Sequence, residues 1–191
     1  SVAGGRTGVA LDGNWLFCPG YELSRADEAV SPSKDDRSWH VLHVPDFWNP
    51  SRVWLHGEHY KGESKGASDR YYQGEIDRCA AYTFDYTRTN VGWYRQWIEL
   101  PASAAGKYME LSFDAVSKVA EVWVNGHEAG SHIGMFGDFR FNVSRLLHPG
   151  RNLVTVKVLR NYVNNIRDAD KITDVAVTVE VTQRMVRDLP H

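Results

Sequence analysis

Alternation of apolar and polar residues is clearest in the second half of the chain and predicts β-strands there. Apolar side chains occupy every second position in residues 109–113, 139–143 and 154–158, so one face of each strand must be buried. The same period runs through residues 175–181, where valine alternates with threonine and glutamate. Strands of this kind are typical of two antiparallel sheets packed face to face, which predicts an all-β fold, an antiparallel β-sandwich.

Residues 119–130 predict a β-hairpin whose turn is Asn125-Gly126. Asparagine and glycine tolerate the positive φ angles of a type I′ turn, and the β-branched and aromatic residues before them suit a half-buried strand. Farther on, Ser144 is expected to cap a single helical turn at residues 145–147. Asn142-Val143-Ser144 also matches the N-glycosylation acceptor pattern, but the predicted strand and cap favour a structural role for these residues.

The first half of the chain is less regular. Strands are predicted at residues 14–17 and 39–44, joined by a polar loop at residues 24–38, and Pro45 ends the second strand. From residue 50 to residue 90, glycines interrupt any period while tyrosine and tryptophan are frequent. Because disordered segments carry fewer aromatic residues, we predict a long ordered loop that packs on the domain.

Composition indicates one domain. A chain of 191 residues with 42% hydrophobic residues is long enough to bury a single core without disulfides or metals. Its net charge is −2, and the 22 basic residues are scattered among 24 acidic ones, which argues against nucleic acid or an anionic membrane as partner. The sequence has no apolar run of about 20 residues and no signal-peptide pattern at its start.

The two cysteines, Cys18 and Cys79, are too far apart in sequence for a clustered metal site. They could form one disulfide or remain buried thiols, and thiols are the favoured interpretation. They do not decide the compartment; a secreted or periplasmic location is slightly favoured on the sequence as a whole.

An ordered set of motifs resembles the amino-terminal sugar-binding domain of glycoside hydrolase family 2, which includes β-galactosidases, β-glucuronidases and β-mannosidases. The resemblance covers most of the chain, with gaps at roughly residues 18–40 and 50–90. It is carried by the segments beginning at Leu11, Val44, Trp93, Leu111, Ala120, Phe139 and Gly150. It implies a jelly-roll sandwich of the galactose-binding-domain-like kind that spans residues 1–191 as a single domain.

The resemblance also implies that this chain is not itself the catalyst. In the family, an immunoglobulin-like domain and a barrel with two catalytic carboxylates follow the first domain, and no residue of this chain maps onto that pair. Retaining glycosidases need such a pair of carboxyl groups about 5 Å apart. Four glutamates lie in or beside predicted strands, and we expect them to be solvated surface residues and not catalytic ones: Glu110, Glu121, Glu128 and Glu180.

Sugar contacts are expected from residues that stack on sugar rings or bridge their hydroxyl groups. The aromatic candidates are Trp48, Trp54, Tyr71 and Tyr72. A core position is the competing interpretation for each, because aromatic residues in sandwiches are often buried.

The polar candidates lie after the strand at residues 154–160: Asn161, Asp168 and Asp170, in a loop that also contains Asn164 and Asn165. In the family's β-galactosidases the corresponding loop reaches the barrel's active site. The family's Asp-x-x-Trp-Arg-x-Ser-Gly pattern is not found after Arg160, so a loop whose Asn and Asp side chains bond its own backbone is the alternative.

No resident metal or cofactor is expected. His56, Glu58 and His59 lie in a glycine-rich loop without a third ligand at a recognisable spacing. Asp168 and Asp170 could contribute to a structural calcium site, but a dedicated site usually has more acidic ligands.

Three hypotheses for the function remain. The first is a non-catalytic carbohydrate-binding and scaffolding domain of a retaining exo-β-glycosidase, whose partners are carbohydrate and the downstream domains of the same polypeptide. The second is a free-standing carbohydrate-binding module. The third is a structural domain without affinity for sugar.

Overall fold

The computed structural model describes residues 7–46, 48, 79–116, 118–134, 137–159 and 181–186, with backbone alone for residues 7–9 and 181–186. Within them the chain forms ten strands and short 3-10 helices. The strands are β1 (Thr7–Ala10), β2 (Gly13–Pro19), β3 (His40–Val44), β4 (Val91–Leu100), β5 (Tyr108–Phe113), β6 (Val119–Val124), β7 (His127–Ile133), β8 (Phe139–Asn142), β9 (Gly150–Leu159) and β10 (Val181–Val186). The 3-10 helices are Gly20–Glu22, Ala26–Val30, Tyr86–Arg88 and Ala102–Ala104.

The strands form two antiparallel sheets, which confirms the sandwich. One sheet has six strands in the order β3-β2-β4-β9-β6-β7, and the other has four in the order β1-β10-β5-β8. The main core lies between them, and its inward-facing residues include Tyr94, Leu111, Val122 and Val156. No helix in the described part of the chain is long and apolar enough to cross a membrane.

The predicted hairpin is present, and its turn has the expected geometry. Asn125 has φ 52° and Gly126 has φ 83°, the left-handed conformation that a type I′ turn requires. The Asn125 side chain also connects the turn to the neighbouring loop: its Nδ2 donates to the Leu146 carbonyl at 2.8 Å, and its Oδ1 accepts from the Leu153 N–H at 2.8 Å. The turn therefore fixes both the hairpin and residues 146–153.

The aromatic segment before β4 contributes to the core, as predicted for the part of it that is described. Phe84 is 7% exposed, and Tyr82 and Tyr86 pack against the main core. The Phe84 ring lies 4.7 Å from the Phe17 ring. These rings and the four-stranded sheet both cover the inner face of the six-stranded sheet.

Residues 24–38 differ from the polar loop that the sequence predicts. Together with Gly20–Glu22 and Trp39 they cover the outer face of the six-stranded sheet and form a second, smaller core there. Buried in this core are Cys18, Ala29, Trp39 and Trp93. The six-stranded sheet is therefore buried on both faces near its middle, which explains why β4 lacks a simple alternation.

Two further expectations need correction or restriction. Ser144 does not cap the turn that follows β8; its hydroxyl bonds to the backbone N–H and carbonyl of Met109, at 2.8 and 3.3 Å. The Asn142 side chain accepts from the Ser144 N–H instead. Of the strand predicted at residues 175–181, only Val181 is described, and it begins β10.

Candidate functional site

The six-stranded sheet has two ends, which we name by their residues. Pro19 pairs with Gly92, and Val91 pairs with Leu159, at what we call the Leu159 end. The opposite end carries the Asn125-Gly126 turn and is called the Asn125 end. The aromatic loop leaves the sheet at the Asn125 end, where Val44 of β3 pairs with Gly13, and returns to it at the Leu159 end.

Both predicted segments connect to the Leu159 end. Asn161 follows Leu159 by two positions, and the aromatic loop returns to the sheet at Val91, which is the partner of Leu159 in the ladder. Most of the predicted site residues themselves lie outside the described residues. They are the sugar-contact candidates Trp54, Tyr71, Tyr72, Asn161, Asp168 and Asp170, and the residues weighed for a metal, His56, Glu58 and His59. Val91 and Leu159, at which the two segments join the sheet, are therefore side by side at this end.

Trp48 is the one predicted contact whose side chain is described, and it lies in the core. It is 1% exposed, with its ring 5.6 Å from Phe17 and 6.0 Å from Tyr94. A ring enclosed in this way has no open face for a sugar, so this position favours the competing core interpretation.

At the Leu159 end, the turn after β2 is joined to the segment that precedes β4. The Tyr21 hydroxyl accepts from the Asp85 N–H at 2.8 Å, and the Arg88 guanidinium lies 4.6 Å from the centre of the Tyr21 ring. His40 bridges the same two segments through Glu22 at 2.8 Å and Thr83 at 2.6 Å. These contacts fix the point at which the aromatic loop rejoins the sheet.

Asp85 organises that segment by capping the 3-10 helix Tyr86–Arg88. Its carboxylate accepts from the Thr87 N–H at 3.0 Å and from the Thr87 hydroxyl at 2.6 Å. These hydrogen bonds, with the nearby Arg88 charge, hold the pKa of Asp85 below its usual value. The segment is therefore ordered by a carboxylate that stays ionised.

Several carboxyl groups in the described residues form ion pairs or have lowered pKa values. Glu121 pairs with Lys157 at 2.8 Å, and Glu110 pairs with Arg140 at 3.7 Å. Glu128 is exposed. Asp27, Asp35 and Asp85 have pKa values shifted downwards, chiefly by hydrogen bonds from Arg25, Arg37 and Thr87 respectively. A general acid needs the opposite shift.

The cysteines are buried thiols, as favoured from the sequence. Burial, with the Glu22 charge, raises the pKa of Cys18 to about 11, so this thiol is protonated at neutral pH. It lines a cavity of about 170 Å³ beneath the outer cover, beside Lys34 and Trp39.

Among the described residues no group of three or more His, Cys, Asp or Glu side chains is placed to bind a metal.

A larger groove, of about 650 Å³, lies at the Asn125 end and was not anticipated from the sequence. Three sequence-distant segments form its walls, contributing Gly106, Lys107, Tyr108, Glu128, Ala129, Asn142, Ser144, Arg145 and Leu146. Its volume is within the usual range for ligand sites. No local motif marks such a groove, because it exists only once β5, β7 and β8 are assembled.

Known proteins resemble this chain over most of its length. A β-galactosidase of Arthrobacter sp. (strain B7) is 31% identical over a stretch that covers 78% of this chain and 15% of the relative. A β-glucuronidase of Formosa agariphila is 25% identical, with 85% of this chain and 14% of the relative covered. The chain therefore spans less than one fifth of the length of these curated relatives.

Solved structures show the same fold. β-Glucuronidase 2 of Bacteroides uniformis aligns with 96% of this chain and 18% of its own, at 22% identity and a TM-score of 0.65. β-Glucuronidase of Bifidobacterium dentium aligns with 98% of this chain and 31% of its own, at 20% identity and a TM-score of 0.63.

The family profile described as "Glycosyl hydrolases family 2, sugar binding domain" matches residues 9–182, nearly the whole chain. The order of motifs, the two-sheet sandwich and this match agree. The chain belongs to the sugar-binding domain family of the family 2 glycosyl hydrolases.

Proposed function

We propose that this chain is the non-catalytic carbohydrate-binding and scaffolding domain of a larger retaining exo-β-glycosidase. The proposal rests on how much of the chain and of its relatives is matched. The sugar-binding domain profile covers residues 9–182, while the chain accounts for only 15% of the length of a β-galactosidase relative. In that protein the carboxylate pair would lie on another domain.

The domain's own contribution would come from the Leu159 end. Asn161, Asp168 and Asp170 follow β9 there, and Asn and Asp side chains bridge sugar hydroxyl groups effectively. The hydrogen bonds of Tyr21, His40 and Asp85 join the turn after β2 to the segment before β4 at the same end. The proposal is that the loop after β9 closes one wall of the substrate pocket and the sandwich holds it in place.

A turnover assay of the 191-residue chain tests the non-catalytic part. We expect no release of nitrophenol from 4-nitrophenyl β-galactoside, β-glucuronide or β-mannoside, because no residue of this chain maps onto the family's catalytic pair of carboxylates. Turnover by the purified chain alone would show that the proposal is wrong.

The sugar-contact part is tested in the longer enzyme. Asn161→Ala and Asp168→Ala should each raise KM by about tenfold, since each would remove a hydrogen bond to the substrate. Asp114→Ala, at an exposed position beyond the end of β5, is the matched control and should leave KM unchanged.

Two other outcomes separate the alternatives. Heat of binding from the isolated chain with millimolar sugar, combined with an unchanged KM for both variants, would favour a free-standing module. Neither binding nor a change in KM would favour a purely structural domain.

A further inference from the structure

The groove at the Asn125 end carries positive side chains that have no ion-pair partner in the described part of the chain. Most described cations are engaged: Arg25, Lys34, Arg37, Arg95, Arg140 and Lys157 form ion pairs, and Arg88 and Arg151 lie over aromatic rings. Lys107, Lys118 and Arg145 form neither contact with any described residue. Two of these three, Lys107 and Arg145, line the groove, where Glu128 is the only carboxylate among the lining residues.

Asn142 presents an oriented hydrogen-bond donor to the same groove. Its Oδ1 accepts from the Ser144 N–H at 3.1 Å and from the Ser144 hydroxyl at 2.7 Å. Ser144 is held in turn by the backbone of Met109. With its oxygen occupied in this way, the Asn142 amide turns its NH₂ group away from Ser144, and that group has no partner among the described residues.

The wall that carries Arg145 is rigid before any ligand arrives. The next residue, Leu146, has its carbonyl bonded to the Asn125 side chain, and the Leu147 N–H donates to the Val143 carbonyl. Asn152, fully buried, joins the network by accepting from Asn125 and from the His148 N–H. A site preorganised in this way loses little conformational entropy on binding.

We propose that this groove binds an anionic sugar, with Arg145 and Lys107 facing its charged group and Asn142 and Glu128 facing its hydroxyl groups. Tyr108, half-buried at the groove wall, adds an aromatic surface. The carbohydrate class rests on the function proposed above, whereas the location and charge preference rest on the groove itself. The site is at the opposite end from Asn161 and would be a second contact surface for a glycan.

The ligand test uses sugars that differ only at carbon 6. The 191-residue chain, labelled with ¹⁵N, is titrated with methyl β-D-glucoside, methyl β-D-glucuronide and the 6-sulfate of the glucoside. We expect chemical-shift changes at Asn142 and Ser144 with the carboxylate, the sulfate or both, and at least about fivefold weaker binding of the neutral sugar. The two anionic arms tell a uronic acid from a sulfated sugar.

Matched variants locate the site. Asn142→Asp keeps the oxygen that Ser144 uses but replaces the free donor with an acceptor, so the fold is retained and binding should fall by about fivefold or more. Arg145→Gln should act similarly, and the losses should shrink as salt is raised. Lys118→Gln removes another cation that has no partner among the described residues, near the Leu159 end, and should leave affinity unchanged.

Three results would overturn the inference. They are equal affinity for the neutral and anionic sugars, inorganic sulfate binding as tightly as the sulfated sugar, and affinity that is insensitive to both Asn142→Asp and Arg145→Gln. Because none of these measurements involves Asn161 or Asp168, failure of this proposal is separate from failure of the function proposed for the Leu159 end.

Discussion

At the scale of single residues, Gly92 shows how closely the aromatic core is packed. A Cβ atom built on Gly92 would lie 2.2 Å from Cζ3 of Trp48 and 2.6 Å from Cε2 of Phe17. Any side chain at this position of β4 would displace Trp48. The absence of a side chain at residue 92 is therefore what lets Trp48 reach the inner face of the sheet.

Gly92→Ala should reduce the free energy of unfolding by about 3 kcal/mol, at the upper end of the usual cost of overpacking, because both colliding rings are buried. The measurement is urea unfolding followed by tryptophan fluorescence. Gly106→Ala is the control, since its added methyl group meets open space and its cost, roughly 1 kcal/mol, comes from the left-handed backbone at φ 68°. Equal costs for the two variants would mean that Trp48 does not occupy the core beside Gly92.

Individual residues differ in how well their structural role can be predicted from the sequence. Asn125-Gly126 was predictable because a type I′ turn depends on the two residues themselves. Trp48 was a candidate for either core or sugar contact, because an aromatic residue looks the same in both settings. Its burial depends on the absence of a side chain at residue 92 and on Phe17, which are distant in sequence.

At the scale of elements, the outer cover of the six-stranded sheet is held by a buried charge. Arg95 of β4 is 0% exposed, donates to the Ser31 carbonyl at 3.1 Å and lies 3.4 Å from the Asp36 carboxylate. Its guanidinium is also 5.3 Å from the centre of the Trp39 ring. Burial lowers the pKa of Arg95 and Asp36 opposes that shift, so the guanidinium remains charged and fixes residues 31–39 to the sheet.

Arg95→Ala should destabilise the domain by about 3 kcal/mol, because it leaves Asp36 without its ion pair and the Ser31 carbonyl without its donor. The loss is measured by urea unfolding, with hydrogen exchange expected to rise most at residues 31–36. Arg37→Ala is the control: its ion pair with Asp35 is exposed to solvent, so the free energy of unfolding should be nearly unchanged. If both variants lost equally little, the cover would be held by its apolar contacts alone.

The elements also differ in how far the sequence predicts them. Strands β5, β8 and β9 were found because apolar and polar residues alternate along them. The segment 24–38 was predicted as a polar loop because its apolar residues, such as Ala29 and Val30, are few and surrounded by polar ones. The groove at the Asn125 end was missed for a similar reason. Lys107, Glu128 and Arg145 come from three segments, and only the strand order places them together.

At the scale of the whole molecule, the last described strand lies in the interior of its sheet. β10 pairs with β1 on one side and with β5 on the other, so the two ends of the domain's sequence meet there. Without β10, β1 loses the strand it pairs with, and β5, which carries the buried Leu111 and Phe113, becomes an edge. The four-stranded sheet therefore cannot be completed until residue 186 has been synthesised.

A chain ending at residue 180 should consequently fail to fold cooperatively, while a chain ending at residue 186 should unfold in a single transition. The reason is that half of the sandwich would lose the backbone hydrogen bonds on both sides of β10, and burial of the inner face depends on that sheet. Thermal unfolding by circular dichroism, with binding of a hydrophobic dye, compares the two chains. A cooperative transition in the shorter chain would show that β1 and β5 do not depend on β10, and the strand order β1-β10-β5-β8 would then be wrong.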